Sequence, residues 1–242
     1  MGRRTLGTVA VLAAGAAVAA ACVLQAAAAP EAKKFTKDVV LHVEWNYVQW
    51  LPEGYAASEK KWPLLVFLHG AGEVGDRIAT VERHGPPKLA AAGRKFPFIL
   101  VAPQSPHLLW NPLEVNAFTE EMVKTRKVDA TRVWITGLSM GGNATWMAAA
   151  IRPDLYAAAV PVCGWGDFFM VRGLARMGVW AFHGAKDPIV PVAKTQELVD
   201  SLKLVGGKPK LTIYPEALHD SWTQAYDDPE LWKWLEAQKR EE

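Results

Sequence analysis

Short apolar runs, each stopped by a glycine or a proline, punctuate the chain: "PLLVFLHG", "FPFILVAPQ", "RVWITG", "YAAAVPVCG", "GVWAFHG" and "KLTIYPEA". Continuous apolarity without alternation is the pattern of strands buried on both faces. Between them lie segments with helical character, around residues 87–92, then "LEVNAFTEEMVKTRKV", "GGNATWMAAAIRP", "VAKTQELVDSLKLVG" and "PELWKWLEAQKR". The last four repeat apolar residues at three- and four-residue spacing. Asp228 before Pro229 predicts a helix start, with the carboxylate as cap and proline at the first helical position. Earlier, "VVLHVEWNYVQWLP" alternates as one or two antiparallel strands would, and "PEGY" ends it in a turn.

Strands alternating with helices predict βαβ units and an α/β fold, a mostly parallel sheet with helices on both faces. Ligands of such sheets bind beyond the carboxyl ends of the strands. The residues just after each apolar run are therefore the ones to read for chemistry.

One run ends in "TGLSMGG", where Gly137, Ser139 and Gly141 form G-x-S-x-G between a predicted strand and a predicted helix. In that context the motif is a nucleophile elbow, a sharp turn that exposes the serine hydroxyl and requires small neighbours two positions away. The helix behind it aims backbone N–H groups and the positive end of its dipole at the site.

A serine hydroxyl needs a base, and the base needs an orienting group. Of the six histidines, His42 lies in the early alternating segment, and His84 and His107 lie in polar loops. His69 and His183 each precede glycine at a strand end, where a ring braces a turn. His219, in "YPEALHDSW" after the last run, is placed to reach Ser139 across the carboxyl edge. Asp187 in "FHGAKDPIVP" is the candidate acid, with Asp167 and Asp220 as rivals. The order Ser139, Asp187, His219 is the order used by α/β-hydrolases. Oxyanion donors are expected from the backbone N–H groups of Met140 and Ala71, the latter in the glycine-rich "FLHGAGEVGDR". Glu73, Asp76 and Arg77 are expected to shape this loop through ion pairs, with a metal site there as the alternative reading. Trp110, Trp165 and Trp222 are candidate substrate-lining residues, since pockets are commonly walled by aromatic side chains, although eleven tryptophans leave core packing open for each.

Taken in order, "LLVFLHGAGEVGDR", "HGPPKL", "TGLSMGG", "FHGAKDPIVP" and "HDSW" resemble the α/β-hydrolase superfamily. More narrowly they resemble the bacterial serine esterases of the phospholipase/carboxylesterase and dienelactone-hydrolase-like group. The resemblance implies a sheet of about eight strands and cofactor-free hydrolysis of carboxylic esters, and the sequence offers no stretch long enough for a large lid. It puts nucleophile, acid and base on Ser139, Asp187 and His219 and the oxyanion hole on Ala71 and Met140. Dienelactone hydrolases proper use cysteine, so Ser139 departs from them. The alternatives are a feruloyl or acetyl-xylan esterase, a peptidase of the prolyl oligopeptidase branch, and a binding protein that keeps the fold without turnover.

Composition adds boundaries. Arg3 and Arg4, an alanine-rich apolar stretch and Ala-x-Ala sites make residues 1–28 a signal peptide, or, if retained, a membrane anchor. Residues 29–242 then form one catalytic domain of an exported protein. Cys163 is left alone after cleavage, so no internal disulfide forms, and its place at a strand end reads as a buried thiol. A net charge of +2 with scattered basic residues argues against nucleic acid as a partner and leaves a small-molecule or polysaccharide-linked ester.

Overall fold

The computed structural model describes residues 30–240, so the leader assigned to residues 1–28 lies outside it. Contacts divide the chain into Met1–Val40 and Leu41–Glu242, and residues 30–40 of the first unit carry no helix or strand. In the second unit, strands β1 (Tyr47–Trp50), β2 (Trp62–Leu68), β3 (Ile99–Pro103), β4 (Val128–Leu138), β5 (Ala158–Val162), β6 (Gly178–Gly184) and β7 (Lys210–Tyr214) make one sheet. Its order is β1-β3-β2-β4-β5-β6-β7, with β1 antiparallel to β3 and every other pair parallel.

Helices α1 (Gly85–Ala91), α2 (Pro112–Thr125), α3 (Met140–Ile151), α4 (Val192–Leu204), α5 (Trp222–Asp227) and α6 (Pro229–Glu236) cover the sheet. Because successive side chains of a strand point to opposite faces, β2 feeds two cores at once. Leu64, Val66 and Leu68 pack with Val115 and Phe118 of α2, Ala144 of α3 and Leu198 of α4. Leu65 and Phe67 pack on the other face with Tyr226 of α5 and Leu231 of α6. Burial on both faces explains the unbroken apolar runs of the central strands. The predicted cap of α6 is present, with Asp228 Oδ1 accepting the Glu230 N–H at 2.8 Å.

Three elements differ from expectation. Of the alternating residues 39–50, only Tyr47–Trp50 pairs, so the sheet has seven strands among the described residues instead of about eight, and His42 lies outside any strand. The tail of "LEVNAFTEEMVKTRKV" leaves the helix at Arg126, and Val128 already opens β4. Helix α5 follows Ser221 directly, where the sequence suggested only loop.

The strand order matters most. From β2 the chain first moves to β3 on one side, then returns to place β4 on the other. The carboxyl ends of β2 and β4 therefore flank the switch point at which open α/β sheets bind ligand. Those ends carry His69–Gly70 and Ser139.

Candidate active site

Ser139 stands between β4 and α3 at φ 54°, ψ −115°, a left-handed conformation that a non-glycine residue holds only under constraint. The constraint is visible on both sides. The Ser139 N–H donates to the Val162 carbonyl of β5 at 2.9 Å, and its own carbonyl accepts the Asn143 N–H at 2.9 Å. A Cβ added at Gly137 would lie 2.5 Å from the Gly141 carbonyl oxygen and 2.6 Å from that of Leu68. At Gly141 it would overlap the Leu68 carbonyl outright. The two glycines of the motif are thus required by backbone packed against backbone, and the turn between them pushes the hydroxyl out.

His219, in the loop between β7 and α5, reaches that hydroxyl. Its Nε2 lies 2.9 Å from Ser139 Oγ, and its Nδ1 lies 2.7 Å from Asp187 Oδ2. Asp187 Oδ1 accepts the N–H groups of Ile189 at 2.8 Å and Val190 at 2.9 Å. Burial alone would raise this carboxyl, but donation from His219 and from the two backbone N–H groups outweighs it and holds the group below the usual carboxylate range. An ionised Asp187 fixes the proton of His219 on Nδ1 and leaves the Nε2 lone pair facing the serine. The rival acids are engaged elsewhere. Asp167 Oδ1 accepts the N–H groups of Phe169 and Met170, and Asp220 binds Thr223 through both oxygens.

The loop after β2 lies beside the elbow, close enough that a Cβ on Gly70 would sit 2.8 Å from Leu138 Cδ1. Ala71 opens the 3-10 turn Ala71–Glu73 and Met140 opens α3, so neither N–H has a partner within its own helical segment. Ala71 is exposed and Met140 is buried, its Sδ accepting the Leu109 N–H at 3.1 Å. His69 braces the turn. Its Nδ1–H donates to the Gly70 carbonyl at 2.7 Å and its Nε2 accepts the Ser105 N–H at 3.0 Å. Burial pushes this imidazole down to about 4, so it stays neutral.

The expected ion pairs among Glu73, Asp76 and Arg77 do not form. Glu73 is buried and accepts the Gly70 N–H at 3.1 Å, with His84 Nε2 3.7 Å from its other oxygen. Burial raises its carboxyl, opposed by the Gly70 N–H and by Arg83. Among the described residues Asp76 and Arg77 make no ion pair, and no three metal-binding side chains converge. The hydrogen bond to Gly70 is how Glu73 shapes the loop.

The tryptophans divide. Trp110 is buried and donates its indole N–H to the His69 carbonyl at 3.1 Å, so it supports the turn from within the core. Trp222 is half-buried, with its ring perpendicular to that of His219 at 5.4 Å between centroids. Trp165 is half-buried in the loop after β5, its carbonyl held by the Asn143 side chain at 2.9 Å. Cys163 is fully buried and its thiol is pushed up to about 12 by burial, which makes it inert as a nucleophile.

A doubly covered parallel sheet with a strained serine at its switch point and an aligned serine–histidine–aspartate set defines the α/β-hydrolase class. The comparisons agree. The model of the prolyl oligopeptidase family matches residues 113–174. A solved thermostable esterase superposes with a TM-score of 0.69 at 33% identity, over 85% of this chain and 62% of that one. Poly(3-hydroxyalkanoate) depolymerase C of Paucimonas lemoignei is 29% identical over 62% of this chain and 46% of its own length. A carboxymethylenebutenolidase-like protein of Salmonella typhimurium is 28% identical over 38% of this chain and 37% of its own. The chain spans less than half the length of these curated relatives. The chain has the α/β-hydrolase fold, and its similarities lie among esterases and carboxymethylenebutenolidase-like hydrolases.

Proposed function

We propose that the chain is an exported serine esterase that cleaves carboxylic esters through an acyl-enzyme. The observation that carries the reading is the pair of contacts made by His219, 2.9 Å to Ser139 Oγ and 2.7 Å to Asp187 Oδ2. Ser139 Oγ attacks the ester carbonyl carbon while His219 Nε2 takes its proton. The N–H groups of Ala71 and Met140 stabilise the oxygen as it gains charge. The tetrahedral adduct collapses, His219 returns the proton to the departing alkoxide, and alcohol leaves. Water, deprotonated by the same Nε2, then attacks the acyl carbon and releases the acid and the serine.

The esterase relatives favour esters over amides. The exposed side chains Leu108, Leu109, Phe168, Phe169, Ile189 and Leu218 favour an apolar acyl group or polyester, because each lies in a loop that leaves the carboxyl end of a strand. The named activity of the depolymerase relative points the same way. Peptidase activity is the second reading, favoured by the prolyl oligopeptidase family match. Export rests on residues 1–28 and is tested by locating the protein after cell fractionation and sequencing its amino terminus.

The test of function is hydrolysis of p-nitrophenyl esters of increasing acyl length beside a polyester film, feruloyl and acetyl-sugar esters, and a peptide anilide. Turnover of esters well above the anilide, lost in Ser139→Ala, supports the reading. Faster anilide cleavage selects the peptidase, and undiminished turnover in Ser139→Ala refutes the mechanism.

A further inference from the structure

Asp187 faces a second imidazole. His183, on β6 and fully buried, places Nε2 at 3.2 Å from Asp187 Oδ2, the oxygen that also receives His219, and at 2.8 Å from the Val190 carbonyl oxygen. A carboxylate and a carbonyl only accept, so Nε2 of His183 carries a proton. On the far side of the ring, Nδ1 lies 2.8 Å from Thr195 Oγ1 of α4, and that hydroxyl lies 2.9 Å from the Gly164 carbonyl oxygen. The hydroxyl has one proton and can turn either way. It donates to Nδ1 when the ring is neutral, and to Gly164 when Nδ1 itself donates. The Nε2–H is therefore kept in either charge state of the ring, donated to the Val190 carbonyl and lying beside Asp187 Oδ2.

We propose that His183 is a positioning residue for the catalytic acid: its permanent Nε2–H anchors the carbonyl of Val190, whose own N–H binds Asp187 Oδ1, and stands beside Oδ2. It thereby keeps the carboxylate in register with His219 and limits how strongly Asp187 stabilises the imidazolium form of His219. This rests on the serine-esterase reading for its effect on turnover, though not for the contact itself. The titratable groups facing His183 are Asp187 and, past it, His219 from the loop after β7. From α4 it meets the Thr195 hydroxyl. On the β5 side lies the Gly164 carbonyl. Burial lowers the His183 imidazole and the Val190 carbonyl and Asp187 oppose this, so the ring is not driven to be a cation to keep its place.

Removing this N–H leaves Asp187 with more unshared charge, which favours the imidazolium form of His219. The base is then free only at higher pH, and the acidic limb of kcat/KM moves upward. Measured on p-nitrophenyl acetate, His183→Phe should raise that limb by about half a unit to one unit, the scale expected when a carboxylate loses one of several donors. His183→Gln, which can return an N–H to the ε position, should restore the limb close to wild type. Thr195→Val, which removes only the support of Nδ1, should give a smaller rise and carries the test should His183→Phe fail to fold. A role confined to packing would lower kcat without moving the limb. The proposal is overturned if the limb stays put in His183→Phe or in Thr195→Val, or if His183→Gln moves it as far as His183→Phe does. Ring nitrogen NMR of the full chain reads the contact without turnover: Nε2 of His183 should be protonated from about pH 5 to 8, spanning the ordinary histidine value, and a bare Nε2 overturns the proposal. A wild type that hydrolyses no ester but shows this proton would fail the functional reading and leave the contact standing.

Discussion

Two strand ends carry the same dipeptide and use it in opposite ways. After β2, His69–Gly70 turns the chain toward the proposed oxyanion loop; at the end of β6, His183–Gly184 turns it toward Asp187. Both imidazoles are buried, and in both the first cause of the lowered proton affinity is burial. Yet His69 is protonated on Nδ1, because that nitrogen faces a carbonyl and Nε2 receives an N–H. His183 is protonated on Nε2, because that nitrogen faces a carbonyl and a carboxylate. The dipeptide sets a ring at a turn; its neighbours decide which nitrogen works. One ring fixes the backbone of the proposed oxyanion loop, and the other stands beside the carboxylate that meets His219.

The comparison can be broken hardest at the acid itself. Asp187→Asn should cost about four orders of magnitude in kcat, as loss of the correct histidine tautomer does in serine hydrolases. Asp167→Asn should leave the rate within a few-fold, because that carboxylate only caps the backbone of Phe169 and Met170. Ester hydrolysis by the two variants measures both, and a larger loss at Asp167 would reverse the assignment.

Next is the oxyanion side. His69→Phe removes the contacts to Gly70 and Ser105 and should lower kcat about tenfold to a hundredfold, approaching the cost of one lost oxyanion donor. The acidic limb should keep its position, unlike that of His183→Phe, and a shared shift would erase the distinction between the rings.

His69 also carries a pH-dependent share of the stability. His69 is held down to about 4 when folded, against about 6.5 unfolded. The unfolded chain therefore binds the proton first on acidification. The stability this group contributes is complete above pH 6.5 and is lost as pH falls toward 4, amounting to about 3 kcal/mol. Denaturant melts from pH 7 to 4 should show that slope flattened in His69→Phe, and an unchanged slope would mean the ring does not titrate as its burial implies. The smallest effect is expected at Trp222→Phe, which keeps an aromatic edge near His219 and should change KM for long acyl esters only a few-fold.

The elbow was legible because its physics is local. The two glycines of G-x-S-x-G are demanded by the Leu68 and Gly141 carbonyls, and no other residue type meets that demand. The convergence of His219 and Asp187 on Ser139 was legible from their places after β7 and β6, since parallel strands deliver all such loops to one edge. What a residue touches across the fold was not. Nothing in "FLHG" or "AFHG" distinguishes one tautomer from the other, because Ser105 and Val190 lie elsewhere in the chain. For Trp110 the sequence left pocket wall and core packing both open, and its burial with the indole N–H donated to the His69 carbonyl shows it as core. Alternation over residues 39–50 describes side-chain faces without naming a partner strand, and β3 accepts just Tyr47–Trp50. Helix α5, at six residues, is too short for a 3.6-residue period to stand out.

The most direct measurement is covalent labelling by a fluorophosphonate, read by mass spectrometry of the proteolysed chain. In the wild type the adduct should fall on the peptide bearing Ser139, and in His219→Ala its rate of formation should drop by about three orders of magnitude or more. Labelling that proceeds equally fast without His219, or that settles on another residue, would contradict the account.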